Sequence, residues 1–437
     1  MACTSVLMIV AWLYWGRTAQ LAIALAAAGG AVAMLRYLEI AAFVAGFFCV
    51  ANLGAFLPGS TSAFFAGVFL IITIRKLIKG DMGWRYGAIL LPASLFVAYF
   101  QISGLWADQD YFYDWDLLIR VLPVVFVMVE LANSRRQFLV FFVGCAVGMT
   151  FSSVSAIRTA TDFYASGVAD QIAGTVTNIE SSRFFGHWPD PNIMSMTLTT
   201  YLGGVIALWR SRLGIVVRAI SLVAVVTTIA AVLMSLSRSG VLTCGIVILM
   251  MLAVERRRLV LFAIVSMVLI VLMATLPVDL FGRFAKIASG MDNSSSERFS
   301  LLIHGWSFFW NNPIFGSGIG GFENGILYKL SYLPHGFFSH NTLVDIAVDG
   351  GLVAVTLFVF CLIPVFNGLS WSNWRPDPND STDMLNAGLR SGLVATIFSM
   401  LTMSSVAYVP FWVYFTLCAM FAVTCRRSGV VTAVAAA

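Results

Sequence analysis

The sequence predicts an all-α polytopic integral membrane protein of about 12–14 transmembrane helices with one long, partly helical outward loop. Three observations predict it. Of the 437 residues 59% are hydrophobic and only 11% charged, whereas soluble domains carry roughly 25% charged residues. The apolar residues fall into runs of span length separated by short polar breaks. Basic clusters occupy alternate breaks, as the positive-inside rule requires. A mean hydropathy of +0.89 excludes both an ordinary soluble enzyme and a disordered chain. The net charge of +5 lies in these topology-setting clusters, which argues against a nucleic-acid partner.

Runs near 3–15 and 19–35 are short and read as two spans or one bent element. No basic segment precedes the first, which therefore reads as a retained span. Runs 38–57, 61–78 and 86–104 follow, the last two separated by Arg75, Lys76, Lys79 and Arg85 on the inner side. Runs 117–132 and 137–157 flank Arg135 and Arg136. Runs 191–209 and 217–234 flank Arg210, Arg212 and Arg218, and runs 240–254 and 259–277 flank Arg256 to Arg258. Runs 342–366, 388–404 and 408–424 complete the set before Arg426 and Arg427. This parity places both termini inside and turns breaks 105–116, 158–190, 235–239, 278–341 and 405–407 outward. The expected organisation is an N-terminal bundle over 1–277, an outward loop over 278–341 and C-terminal helices over 342–437, together one structural unit. There is no internal repeat of the kind inverted-repeat transporters show. Cys49, Cys145, Cys244, Cys361 and Cys418 lie inside apolar runs and Cys3 and Cys425 near inner ends, so no disulfide framework is expected.

The 278–341 loop has its own pattern. Within SSSERFSLLIHGWSFFWNNP, Ser is a capping residue, and Phe299, Leu302, Trp306 and Phe309 form one apolar stripe at helical spacing. The segment reads as an amphipathic helix on the outer leaflet, ended by Asn311-Asn312-Pro313. The following GSGIGGF permits tight turns and lacks the Lys-Ser/Thr of a nucleotide-binding loop.

All four histidines, His187, His304, His335 and His340, lie in outward segments, which argues against a haem or proton-relay bundle. His340, at the loop–helix junction in SHNTLVDIAVDGG, has two readings: a base that takes a proton from an incoming hydroxyl, or an anchor of the helix end. Arg238 interrupts an apolar region in SLSRSG at an outward turn. It reads as a partner for phosphate oxygens or as a snorkelling arginine, the latter opposing the positive-inside trend. Arg298 on the amphipathic helix faces either lipid headgroups or the protein interior. Arg183 sits in SSRFFGHWPDPN, a segment that also reads as a turn built by Pro189 and Pro191. Arg120, near an outer span end, and Arg158, just past one, are weaker phosphate candidates. Asp108, Asp110, Asp114 and Asp116 suit a hard cation but read first as a solvated loop, and no obligatory metal or cofactor is expected.

Together, SLSRSG, ERFSLLIHGWSFFWNNPIFGSGIGGF and SHNTLVDIAVDGGLVAV resemble the O-antigen ligase and polymerase superfamily. The topology matches over most of the chain, and the motifs occupy roughly 183–355. Ligases of that superfamily are described by Arg followed four residues later by Leu, met here by Arg298 with Leu302 and by Arg238 with Leu242. They are also described by His followed eleven residues later by Gly, met by His340 with Gly351. A longer form of the second pattern ends in glycine, where this chain has Ala354. The resemblance implies a GT-C-like, metal-independent glycosyltransferase of the bacterial inner membrane, its active site facing the periplasm. It implies an undecaprenyl-diphosphate-linked glycan as donor and a sugar hydroxyl of lipid A-core as acceptor, with membrane lipids around it. His340 would act as base, and Arg238, Arg298, Arg183, Arg158 and Arg120 would contact the diphosphate-linked substrate. The alternatives are a polymerase of the same superfamily and, from another class, a lipid-linked glycan transporter, whose charges would sit near the midplane of spans.

Overall fold

The computed structural model describes residues 33–34, 36–53, 60–81, 83, 86–107, 120–165, 184–254, 267, 293–323, 339–372, 376–377 and 379–426. The run expected at 3–15, that at 259–277 apart from residue 267, most of that at 19–35, and Arg183, His335 and the acidic loop at 108–116 lie outside the described residues.

The protein is an all-α polytopic membrane protein. The described helices are α1 (Leu38–Ala51), α2 (Ser60–Lys79), α3 (Gly87–Ser103), α4 (Val121–Leu131), α5 (Arg135–Ala165), α6 (Pro191–Arg210), α7 (Ile215–Met234), α8 (Arg238–Ala253), α9 (Asn293–Phe309), α10 (Thr342–Gly368), α11 (Ser381–Met400) and α12 (Val409–Phe421). Helices are what hydrocarbon permits, since each satisfies its own backbone groups. Among the described residues four helices are long and apolar enough to span a bilayer, and five shorter apolar ones accompany them. Their bounds follow the apolar runs with three corrections: α1 ends at Ala51, short of 57, α11 begins at Ser381, ahead of 388, and α5 is longer than expected. Helix α5 continues to Ala165, so Arg158 lies on the helix and not beyond its end.

Lipid gives little hydrophobic drive between spans, so close backbone approach and interhelical hydrogen bonds hold the bundle. A Cβ on Gly46 of α1 would stand 2.0 Å from the Phe141 carbonyl oxygen, and one on Gly144 of α5 would stand 2.0 Å from that of Phe43. Gly144 and Gly148 make a small-xxx-small pair that the sequence carries openly. Helices α6 and α11 meet the same way, with Gly203 and Gly388 each pressed on the other's carbonyl. Helix α6 lies at the centre and is buried from Met194 to Leu208. Its hydroxyls bond outward to Thr243 of α8 at 3.2 Å and Thr396 of α11 at 3.1 Å. The periphery is apolar and exposed, as at Leu70 and Ile74 of α2 and Val223 and Val226 of α7, which is the lipid-facing pattern. Lys76 Nζ lies 2.8 Å from Glu130 Oε1 and donates to the Gly83 carbonyl. The cysteines Cys49, Cys145, Cys244, Cys361, Cys418 and Cys425 are buried free thiols.

Helix α10 is broken. Gly351 has φ 63° and ψ −164°, a backbone region open essentially to glycine alone. The loop after α9 fills the break. Ser317 and Gly318 donate their N–H groups to the Val348 and Asp349 carbonyls, both at 2.9 Å, and Leu352 and Val353 donate to the Pro313 and Ile314 carbonyls at 2.9 and 3.2 Å. The orphaned groups of two helix ends are thereby satisfied by one loop, as irregular backbone in a membrane protein requires. The glycines of GSGIGGF make the path possible, Gly316, Gly318 and Gly320 all having positive φ. A Cβ on Gly351 would stand 2.3 Å from the Ile314 carbonyl oxygen. Gly351→Ala is therefore expected to cost roughly 1–3 kcal/mol in backbone strain with a backbone clash in addition. Folded yield after detergent extraction should fall sharply relative to Ala354→Gly at the next turn.

The amphipathic helix forms, with a correction to its stripe. Phe299, Leu302 and Trp306 are exposed, but Phe309 turns inward and packs with Leu301, Phe308, Phe322 and Val348. At about 100° per residue, Phe309 lies at the edge of the stripe toward Gly305. Gly305 faces α10, where a Cβ would stand 2.5 Å from Val344 Cγ1. Helix α9 thus docks on the first half of α10 and leaves an apolar, Trp-bearing face outward, suited to the bilayer interface.

Candidate active site

Three helix N-termini frame the candidate site, each set by its local sequence. At the head of α6, Asp190 Oδ1 accepts from Asn192 N at 2.7 Å and Ile193 N at 3.0 Å, and Pro191 at the first helical position needs no hydrogen-bond acceptor for its nitrogen. At the head of α8, Ser237 Oγ caps Gly240 N and donates to Asn192 Oδ1 at 2.8 Å. A Cβ on Gly240 would stand 2.4 Å from Ser195 Cβ, so α8 sits directly on α6. Arg238 is the first residue of α8 and is half-buried. Leu236, just before the cap, has φ 50°.

The head of α10 repeats this design around His340. Asn341 Oδ1 caps Leu343 N and Val344 N at 3.0 and 3.2 Å. Ser339 Oγ accepts from Asn341 N at 2.9 Å, and Asp345 Oδ1 accepts from Ser339 N at 3.3 Å. Thr342, fully buried, donates its Oγ to the Met403 carbonyl at 2.6 Å and accepts from Ser405 N at 3.0 Å. His340 between these anchors has φ 53°, a left-handed conformation that costs a non-glycine residue roughly 1–3 kcal/mol when held in place. Strain of this kind is seen where a side chain has to be aimed.

His340 is half-buried, and its pKa is pushed down to about 4. Burial is the largest cause, the Arg298 guanidinium adds to it, and the Asp190 carboxylate opposes both. The ring is therefore neutral at pH 7, with one nitrogen free to accept a proton. Arg298 of α9 and Asp190, the cap of α6, thus both act electrostatically on His340, just ahead of α10. Arg238 adjoins this group through the Ser237–Asn192 hydrogen bond. Helix N-termini and arginines together suit an anion, phosphate above all.

The other candidates are placed elsewhere. Arg120 heads α4 and is half-buried. Arg158 is exposed on α5 and pairs with Asp162 at 3.6 Å. His187 is structural: its ring nitrogens meet Ser155 Oγ at 3.0 Å and the Ala51 carbonyl, tying α5 and α1 to the chain before α6. His304 stacks on Phe308. Asp190 was missed as a site residue. Its Asp-Pro-Asn signature is legible as a helix start, but nothing local says that this start faces His340.

Among the described residues no group of three His, Cys, Asp or Glu side chains is arranged to hold a metal ion. The chain matches no curated protein. Residues 223–359 match the family model described as O-Antigen ligase, and that stretch carries Arg238, Arg298, His340 and Gly351. Over this segment the chain is similar to the O-antigen ligase family.

Proposed function

We propose that the protein is an O-antigen ligase. It transfers a glycan from an undecaprenyl-diphosphate carrier to a sugar hydroxyl of lipid A-core at the periplasmic face of the inner membrane. The observation that supports this best is a histidine kept neutral beside an arginine at a cluster of helix N-termini. His340 takes the proton of the acceptor hydroxyl as its oxygen attacks the anomeric carbon. The bond from that carbon to the diphosphate breaks, and the diphosphate leaves with the electron pair. Arg298 and Arg238 stabilise the charge that develops on it, with Arg183 as a further diphosphate contact. Arg158, already paired with Asp162, is left out. Direct displacement inverts the anomeric centre and needs no metal, because the arginines and helix termini meet the diphosphate charge.

Purified protein, carrier-linked glycan and lipid A-core in detergent test the proposal. Glycan on the core is the expected product, and it should persist in chelator. Ladders of repeats on the carrier would identify a polymerase instead. The absence of both products, with donor bound, would contradict glycan transfer. A covalent glycosyl-enzyme would contradict the one-step displacement.

A further inference from the structure

We infer that Asp349 is a positioning residue, which latches the loop after α9 into the break in α10 and thereby fixes Arg298 and His340 relative to one another. Arg298 sits on α9 and His340 just ahead of α10, a long stretch of sequence apart, and one junction ties those two helices together. Asp349 Oδ1 accepts from Phe322 N at 2.8 Å and Oδ2 from Gly320 N at 3.3 Å. Its own carbonyl accepts from Gly318 N at 2.9 Å. Tyr99 of α3 closes the junction from the bundle side, its hydroxyl lying 2.8 Å from the Phe315 carbonyl oxygen and 2.9 Å from that of Gly350.

Packing makes the pieces above the break one unit. Leu301, Phe308, Phe309, Phe322 and Val348 form a small core with Val344 and Ala347, separate from the main core of the bundle. That unit contains α9 with Arg298 and the first half of α10, which begins two residues after His340. Without the latch, the loop has one fewer hold on α10 and α9 loses its fixed register against it.

Among the described residues the charged groups that act on His340 are Arg298 from α9 and Asp190 at the head of α6, and Asp345 on α10 holds the neighbouring Ser339 N–H. The 401–408 loop beneath contributes only Tyr408. A change in the α9–α10 register therefore alters both the burial of His340 and its separation from Arg298, and both changes weaken the causes that hold its pKa down.

Ring-labelled histidine NMR of the full chain in nanodiscs reads this directly, the four histidines being assigned with His340→Asn. In Asp349→Ala the His340 midpoint is expected to rise from about 4 toward the ordinary 6.5. Tyr99→Phe should raise it in the same direction and decides the matter if Asp349→Ala does not fold. Thr396→Val, which removes the interhelical bond to Thr200, should leave it near 4. A midpoint unmoved in the folded latch variants, or moved equally by Thr396→Val, would overturn the inference. The kinetic arm rests on His340 being the base: the acid limb of transfer should follow the NMR midpoint. If the midpoint moves and the limb does not, the latch stands and the base assignment falls.

Discussion

Replacing His340 by alanine is expected to lower glycan transfer about 10²- to 10⁴-fold, the usual contribution of a positioned general base. Binding of the carrier-linked donor should change far less, because the diphosphate contacts assigned to Arg298 and Arg238 remain. The fold should tolerate the change well. His340 occupies a left-handed position outside the helix, and the anchors on either side of it are Ser339, Asn341 and Thr342, whose hydrogen bonds do not use the imidazole. His340→Asn, which accepts the left-handed backbone more readily, serves as the cleaner variant. Equal donor affinity with collapsed turnover, measured side by side, is the expected pattern. Full activity in either variant would remove His340 from the mechanism.

The pH dependence of transfer should be displaced to low pH, and differently for free and donor-bound protein. The free-protein pKa of about 4 places the acid limb of kcat/KM near pH 4, so that this parameter stays flat from neutral pH down to about 5. A bound diphosphate brings negative charge to Arg298 and opposes its effect on His340, so the limb in kcat should lie higher. Arg298→Gln should raise the kcat/KM limb toward 6.5 and weaken donor binding, whereas Arg298→Lys, without the planar two-pronged fork, should restore the limb more than the binding. Stability carries the corresponding sign. The unfolded chain protonates this histidine near pH 6.5 and the folded chain only near 4, so the protein loses stability as pH falls between those values and gains none from this group above them. Thermal unfolding in detergent at pH 7 and pH 4.5 should show that loss, diminished in His340→Asn.

The candidate site could be proposed from the residues because charge is scarce in the chain. Arg298 and His340 fall in segments that the sequence reads as outward, against the positive-inside trend, and that exception, with the spacing of His340 to Gly351, singled them out before any contact was known. The helices were equally legible, since span length and polar breaks both follow from the thickness of hydrocarbon. What could not be read was anything that depends on which helices meet. Asp190 looks like a cap, and it is one, but only the packing of α6 near α10 turns it toward His340. The break at Gly351 leaves no trace in hydropathy because both halves of α10 are apolar. Its sole local sign is Asp-Gly-Gly within a run that otherwise reads as helix. Two features were open to inspection and passed over. Gly144 and Gly148 carry the spacing of a close helix contact, and Arg158 with Asp162 has the i, i+4 spacing of a helical ion pair, which already marked Arg158 as belonging to the extended α5.

The central claim is that His340 is the base and that burial, with Arg298 adding to it, holds its proton affinity down until the donor arrives. The measurement that bears on it most directly is the ring titration of His340 in free protein and in protein saturated with carrier diphosphate. A midpoint near 4 when free, rising on donor binding and rising without donor in Arg298→Gln, is the predicted result. A midpoint at the ordinary 6.5, indifferent to both donor and Arg298, would contradict it.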